Sequence, residues 1–211
     1  SYGRSLPFQQ IHHYKAVLDN MWYVGEGYIK LLAAYQQNRR QEYEEKRDEC
    51  GLDLMLHTVN YDLHYTSPLL GSWKIAAGLN GMWQQSVNKG TEFLVPDYSL
   101  FDYGLFATAT YNVDKLNLSG GVRYDHRHLH GDNLMEDEED GGVVERFKPF
   151  SRGFDGFSGS LGMAYELLPN FNIKLNASCG FRAPNISELA SNGEHEGTQR
   201  YEIGNTALKP E

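Results

Sequence analysis

Residues 171–181 read FNIKLNASCGF, and residues 181–211 continue as FRAPNISELASNGEHEGTQRYEIGNTALKPE. The first part alternates apolar and polar residues, which is the pattern of a β-strand with one apolar face. The second part is polar and much longer than an ordinary turn. The two parts together predict a strand that runs directly into a long loop.

The loop carries signals of local order. Pro184 disfavours the α region for Ala183, so the chain should leave the strand in an extended conformation. Asn185 or Ser187 is placed to cap a short helical turn. Residues 199–203 are expected to form a short strand. The loop is therefore predicted to be structured.

The same alternation recurs through the chain and predicts eight strands, most of about 10 residues or more. Strands in globular proteins average about 5–6 residues, whereas a tilted membrane-spanning strand needs about 9–11. In the third strand the apolar phase changes between Leu56 and Val59, which predicts a β-bulge. The predicted strands are 11–18, 28–37, 52–65, 73–83, 101–112, 116–124, 157–167 and 171–181.

The connections between these strands alternate between short and long, which is typical of an up-and-down outer-membrane barrel. The polar strand faces suit a water-filled lumen and the apolar faces suit lipid. The predicted fold class is thus all-β, an antiparallel up-and-down meander. Five aromatic residues near the short connections are candidates for an interfacial girdle: Tyr65, Trp73, Tyr111, Tyr165 and Phe171.

Composition and the absence of certain motifs exclude several classes of function. The net charge of −9 makes nucleic acid an unexpected partner. No apolar run approaches 18 residues, so no transmembrane helix is predicted. Cys50 and Cys179 do not make a disulfide framework. No Gly-x-Ser-x-Gly, phosphate-binding loop or His-Glu-x-x-His motif occurs, so neither an enzyme nor a resident cofactor is expected.

The segment 181–211 resembles the barrel of TonB-dependent outer-membrane receptors. The resemblance rests on a strand exit of the type FRAP…EL followed by E.GN..L.PE, and residues 35–42 (YQQNRRQE) are similar to an earlier hairpin of that family. The residues that carry the motif are Phe181, Arg182, Ala183, Pro184, Glu188, Leu189, Glu202, Gly204, Asn205, Leu208, Pro210 and Glu211.

The resemblance implies a fragment of a 22-stranded transmembrane β-barrel, of a size that encloses a plug. With about eight strands and no plug domain, residues 1–211 are expected to be the central portion of the barrel domain, as one partial domain. It also implies import of a metal chelate at the outer membrane of a Gram-negative bacterium. A ferric siderophore is expected first, with haem, cobalamin or zinc as alternatives. The implied partners are membrane lipid, the chelate, and TonB, which is reached through the plug and N-terminal box of the full-length receptor.

Two groups of residues are candidate binding sites. The extracellular loop offers Arg182, Glu188, His195 and Arg200 for substrate contacts, and His195 lies between two glutamates as a candidate metal ligand. A second candidate metal cluster has alternating histidines on one strand face: His126, His128 and His130. Imidazole and carboxylate groups are ligands for zinc or an iron complex. The alternative, which a metal site must outweigh with several converging ligands, is that both clusters are solvated polar groups.

Two other readings remain open from the sequence. Eight strands could close on themselves as a small barrel of porin or adhesin type, or an aromatic-rich β-sandwich could act as a soluble binding module. If the chain is instead an isolated piece of the larger barrel, its eight strands leave two free edges and an apolar face, which we expect to be covered by self-association or by closure of the sheet.

Overall fold

The computed structural model describes residues 6–43, 46, 48, 50–91, 95–137, 143–195 and 200–211, with only the backbone at 136–137, 143–144, 193–195 and 200–202. It contains twelve strands and one short helix. In chain order these are β1 Phe8–Val24, β2 Gly27–Tyr43, β3 Leu52–Thr66, β4 Trp73–Asn88, β5 Tyr98–Val113, β6 Leu116–Gly131, β7 Leu134–Asp137, β8 Val143–Phe147, β9 Phe150–Leu168, β10 Phe171–Cys179, α1 Ile186–Ala190, β11 Asn192–His195 and β12 Arg200–Ile203.

Eight of the strands form one antiparallel sheet in the order β1-β2-β3-β4-β5-β6-β9-β10. The predicted up-and-down meander is confirmed, and each predicted strand has its counterpart. Most strands extend beyond their predicted ends; β9, for example, has 19 residues. The remaining four form two small ribbons, β7-β8 and β11-β12, inside the long connections. The short strand expected near residues 199–203 is β12.

The short connections lie together at one end of the sheet. Asp114 follows β5 with a φ of 45° and Asn170 precedes β10 with a φ of 70°. Asparagine and aspartate tolerate this left-handed conformation better than most residues, which suits tight hairpin turns. The five predicted girdle aromatics belong to this end, where the rings of Trp73 and Tyr111 lie 4.8 Å apart.

The predicted bulge in β3 is wrong. The pairing of β3 with β2 and with β4 runs without a register shift. Leu54 and Leu56 therefore share a face with Asn60, while Val59 and Leu63 lie on the opposite face. The apolar residues change sides because the surroundings of each face change along the strand, whereas the backbone does not slip.

The sheet has two chemically distinct faces. The apolar face carries large side chains that are solvent-exposed in the isolated chain, such as Val122 and Leu161 at 67% each. The opposite face, which we call the polar face, carries Asp62, Asn80 and Arg123. Contiguous exposed apolar surface of this kind marks a contact with lipid or with protein.

The strands β1 and β10 form the two edges of the sheet and do not pair with each other. In the described chain the eight strands therefore do not close into a barrel of their own. Cys50 and Cys179 are free thiols, as expected. Among the described residues, no helix is long and apolar enough to span a membrane.

Candidate functional site

The helix α1 begins at a reciprocal cap. Asn185 accepts a hydrogen bond at its side-chain oxygen from the backbone N–H of Glu188, at 2.9 Å. The Glu188 carboxylate accepts one in return from the backbone N–H of Asn185, at 2.9 Å. This capping box satisfies two N–H groups that a helix start otherwise leaves free. Of the two predicted caps, Asn185 is the one that the structure uses.

The helix packs on the polar face through an apolar cluster. Leu189 is fully buried and contacts Leu100, Leu129 and Phe154, which are 6%, 0% and 3% exposed. Full burial of a leucine side chain contributes about 1.5–3 kcal/mol. The cluster is completed by partly buried side chains from the sheet and from the loop: Met82, Tyr98, Phe150, Phe181, Ala183, Ile186, Ala190 and Leu208. The loop is thus folded down onto the sheet.

Arg182 joins three parts of the loop. It donates hydrogen bonds to Glu188 at 2.9 Å and to both carboxylate oxygens of Glu211 at 3.0 and 3.1 Å. The backbones of Arg182 and Glu211 also exchange two N–H···O bonds of 3.0 Å. We call Arg182, Glu188 and Glu211 the arginine clamp.

The clamp alters the protonation of its members. The backbone N–H of Asn185 and the guanidinium of Arg182 lower the pKa of Glu188. Hydrogen bonding and charge attraction from Arg182 lower the pKa of Glu211. The two glutamates in turn raise the pKa of Arg182. All three groups therefore stay charged at neutral pH and hold one another in place.

The returning part of the loop lies against the helix. Gly204 donates its N–H to Ser191 at 2.7 Å, and Asn205 donates to the carbonyl of Glu188 at 2.8 Å. A Cβ on Gly204 would lie 2.4 Å from the backbone nitrogen of Ala190, so only glycine fits. Arg152 on β9 fixes the same segment by donating to the carbonyls of Leu208, at 3.1 Å, and Thr206.

A cavity of about 680 Å³ lies beneath the start of this loop. Its lining includes Phe181, Arg182 and Ala183 above and the polar face of β3 to β9 below. Phe181 lies flat on Gly156, where any Cβ would be 2.0 Å from its ring. The FRAP segment therefore forms one wall of the cavity.

The floor of the cavity is a hydrogen-bonded network. Arg123 crosses over Gly104, whose missing side chain leaves space for the guanidinium, and reaches Asn80 at 2.8 Å. It also donates to Asp125 at 2.8 Å. A second pair, Arg127 and Asp102, is bidentate at 2.8 and 2.7 Å. These arginines are thus already engaged with carboxylates.

The other members of the floor extend the network to β3. His64 lies 2.6 Å from Asp62, and Asn80 donates to Asp62 at 3.5 Å. Sequence reasoning did not single out Asp62, Asp102 or Arg127. In the sequence these residues are distinguished only as charged residues on the polar face of long strands. The sequence does not identify the partner of each on the neighbouring strand.

The structure accounts for the predicted loop residues in different ways. Arg182 and Glu188 form an ion pair with each other in the clamp. Their role as substrate contacts stays a prediction. His195 and Arg200 are opposite one another on β11 and β12, with only their backbones described. Asn192 and Gly193 begin β11, although an Asn-Gly pair on its own is typical of a turn. Glu196, beside His195, lies outside the described residues.

The motif residues mostly support the loop. Phe181, Ala183, Leu189 and Leu208 belong to the apolar cluster, while Gly204 and Asn205 make backbone contacts with the helix region. Pro184 is buried, Pro210 is exposed, and only the backbone of Glu202 is described. Most of the recognisable motif therefore builds the loop, and its role in ligand contact stays a prediction.

The three alternating histidines share one face of β6, as predicted, and they follow Tyr124 on that face. Each has a different partner: His126 with Asp155 at 2.8 Å, His128 with Ser151 at 3.2 Å, and His130 with Asp132 at 3.3 Å. In the described part of the chain, no three His, Cys, Asp or Glu side chains come close enough together to hold a metal ion. The three histidines do not converge as one ready site.

Solved structures with the same fold come from several bacteria. A Serratia marcescens hemophore receptor, HasR, in complex with its hemophore HasA and heme, superposes with a TM-score of 0.73 at 20% identity over 97% of this chain and 35% of that one. The FrpB iron transporter of Neisseria meningitidis gives 0.64 at 14% identity, over 86% and 31%. The ferric yersiniabactin uptake receptor FyuA of Yersinia pestis gives 0.62 at 14%, over 88% and 31%.

The chain thus spans about a third of the length of these receptors, and at such identities the likeness establishes the fold. A comparison with curated protein sequences finds no match. The family described as TonB dependent receptor-like, beta-barrel matches residues 8–211, nearly the whole chain. That family comprises receptors and transporters of the Gram-negative outer membrane and is not an enzyme family. By this match, the chain belongs to the β-barrel family of TonB-dependent receptors.

Proposed function

We propose that this chain forms the central portion of the barrel wall of a receptor that imports a metal chelate across the outer membrane of a Gram-negative bacterium. Residues 1–211 would supply part of the pore and several extracellular loops. A ferric siderophore is the first candidate substrate, with haem, cobalamin and zinc as alternatives. Import would depend on TonB, which acts through the plug and N-terminal box of the full-length receptor.

One observation carries the proposal. The start of a structured loop lines a cavity of about 680 Å³ over the polar face of the sheet. Cavities of about 300–1,000 Å³ are typical of small-molecule sites. A passive pore has no need of a loop fixed by both a buried leucine and an ion-pair clamp. A receptor that must hold a scarce ligand benefits from such a preorganised entrance.

The apolar face supports the membrane part of the proposal. Exposing apolar side chains such as Val122 and Leu161 to water is unfavourable in free energy, whereas their contact with lipid is favourable. The aromatic residues at the short-turn end, such as Trp73 and Tyr111, would then form the girdle on the periplasmic side. With lipid on this face, the polar network around Arg123 would face the lumen.

The proposed ligand contacts are Arg182, Glu188, His195 and Arg200. Arg182 and Glu188 are linked by the clamp, so we expect a ligand to contact the outer side of this ion pair rather than to replace it. His195 and Arg200 are cross-strand partners, which would present an imidazole and a guanidinium at one position of the ribbon. The guanidinium is suited to an anionic group and the imidazole to a metal.

A self-closed small barrel is less well supported, because β1 and β10 lie at opposite edges of the sheet. A soluble sandwich is disfavoured by the exposed apolar face. The sandwich would predict an isolated chain that is stable in plain buffer. The proposal instead predicts that detergent or lipid is required.

Binding to the purified full-length receptor tests the proposal. Ferric siderophores of the hydroxamate and catecholate classes, haem, cobalamin and Zn²⁺ would each be titrated in detergent micelles, with hydrogen exchange followed at residues 181–211. We expect one class to bind and to protect this loop. A Leu161→Ala variant, altered only on the apolar face, is the control and should bind equally. Absence of binding across the whole panel would contradict the proposal.

A further inference from the structure

A second candidate site lies near the outer end of β6, on the strand face that also carries Val122 and Tyr124. Residues 116–125 already provide the length of about 9–11 residues with which a tilted strand crosses a membrane. His126 and His128 follow on the same strand, so they lie at or beyond the outer rim of the apolar face. Nothing in the proposed import of a chelate uses them.

The strand geometry places these two imidazoles on the same face of β6, where Nε2 of His128 lies 3.2 Å from the Ser151 hydroxyl. Residues i and i+2 of a β-strand lie on one face, with Cα atoms about 7 Å apart at a rise of about 3.3 Å per residue. An imidazole is long enough for two such side chains to contact one ion between them. Zinc–nitrogen bonds of about 2.0–2.1 Å require this degree of approach.

His126 is already held as a metal-binding histidine is usually held. Its Nδ1 lies 2.8 Å from the carboxylate of Asp155, which also accepts a hydrogen bond from the Tyr124 hydroxyl at 2.5 Å. A carboxylate that accepts the Nδ1–H leaves the lone pair of a neutral imidazole on Nε2. Nε2 is therefore the nitrogen available to an ion.

The neighbouring strand leaves space for that ion. Gly153 lies directly opposite His128, and the nearest atom to a Cβ placed there would be Cε1 of His126, at 3.6 Å. Asp155 and Ser151 flank this gap on β9. On the other side, the ring of Tyr103 lies 5.2 Å from that of His126 and forms a wall.

We propose that His126 and His128 bind a divalent first-row transition-metal ion on the outer rim, with Asp155 orienting His126 and water completing the coordination. Imidazole ligands suit copper, nickel and zinc, and affinities generally rise to a maximum at Cu²⁺. His130 is not part of the site, because it pairs with Asp132, which follows the end of β6.

The experiment uses the full-length receptor in detergent, with Cu²⁺ followed by electron paramagnetic resonance and Ni²⁺ and Zn²⁺ by calorimetry. We expect one ion to show coupling to two imidazole nitrogens. His128→Asn should remove one of them. Asp155→Asn keeps both ligands and should weaken binding about 10–100-fold, the usual effect of losing such a partner.

His130→Asn is the matched control, since it removes the same kind of side chain from the same face of the same strand. It should leave the affinity and the spectrum unchanged. The proposal is overturned if His128→Asn leaves the two-nitrogen signal intact, or if His130→Asn reduces binding as strongly as His128→Asn does. Both results are independent of whether the receptor imports a chelate.

Discussion

The buried side chain of Leu189 offers the sharpest test of how the loop is held. Leu189→Ala removes the one fully buried loop residue in the cluster with Leu100, Leu129 and Phe154. Leucine-to-alanine changes in packed clusters cost about 2–5 kcal/mol. Because the strands themselves are unchanged, we expect this cost to appear as local opening of the loop rather than as unfolding of the sheet.

Hydrogen exchange measures that opening directly. A loss of 2 kcal/mol corresponds to an increase of about 30-fold in the open population, since about 1.4 kcal/mol is tenfold. The amides of Leu189 and Gly204, which donate to Asn185 and Ser191, should therefore exchange at least about 30-fold faster in the full-length receptor. Leu161→Ala, at a site 67% exposed on the apolar face, should leave these rates unchanged. Exchange within threefold of wild type in Leu189→Ala would refute the packing argument.

Three further predictions concern the contacts around the same loop. Gly204→Ala should cost about 1–3 kcal/mol by overpacking against the helix and raise loop proteolysis, whereas Gly180→Ala, with nothing within 4 Å, should not. The lowered pKa of Glu188 means that the charged carboxylate contributes fully to loop stability above its ordinary pKa of 4.5, and that this contribution is lost as the pH falls through the lowered pKa. Protection of the loop amides from exchange should therefore be constant from neutral pH to about 5 and decrease below that. Arg182→Gln should weaken this pH dependence of protection. Arg127→Met leaves its carboxylate partner without a cation and should destabilise the receptor by about 1–3 kcal/mol in denaturant unfolding in micelles, and an unchanged midpoint would count against the pairing.

The strands were largely predictable because most of them carry apolar side chains on one face and polar side chains on the other. Alternation is clear in β10, from Phe171 to Cys179, where it continues through the whole strand. It fades in the upper half of β6, where the histidines occupy positions that would otherwise be apolar. The strand ends were therefore placed too early, since hydrophobic alternation reports the surroundings of the strand and not its hydrogen bonding.

The third strand shows the same limit in another form. Its change of apolar phase at Leu56 was interpreted as a bulge, but the register is continuous. The leucines at the start of β3 lie on the polar face near the long connections, whereas Val59 and Leu63 lie on the apolar face. A sequence pattern alone does not distinguish a slipped backbone from a change of environment.

The loop was predictable where the signal is local and not where it depends on distant residues. The cap at Asn185 follows from its own neighbours. The burial of Leu189 depends on strands far away in the sequence, and so does the pairing of Arg127 with Asp102. Arg182 was expected to contact a substrate, yet most of its donors are engaged by Glu188 and Glu211, which no spacing rule indicates.

Uptake by living cells tests the central claim most directly. Two strains would be compared, one with functional TonB and one without, in which the full-length receptor is the only route of entry for the chelate that it binds. Accumulation of the metal in the cells would be followed over time. The account predicts uptake that requires TonB and that competes with unlabelled chelate. Equal uptake in the two strains would show a passive pore and would contradict the assignment of this chain to an energy-coupled importer.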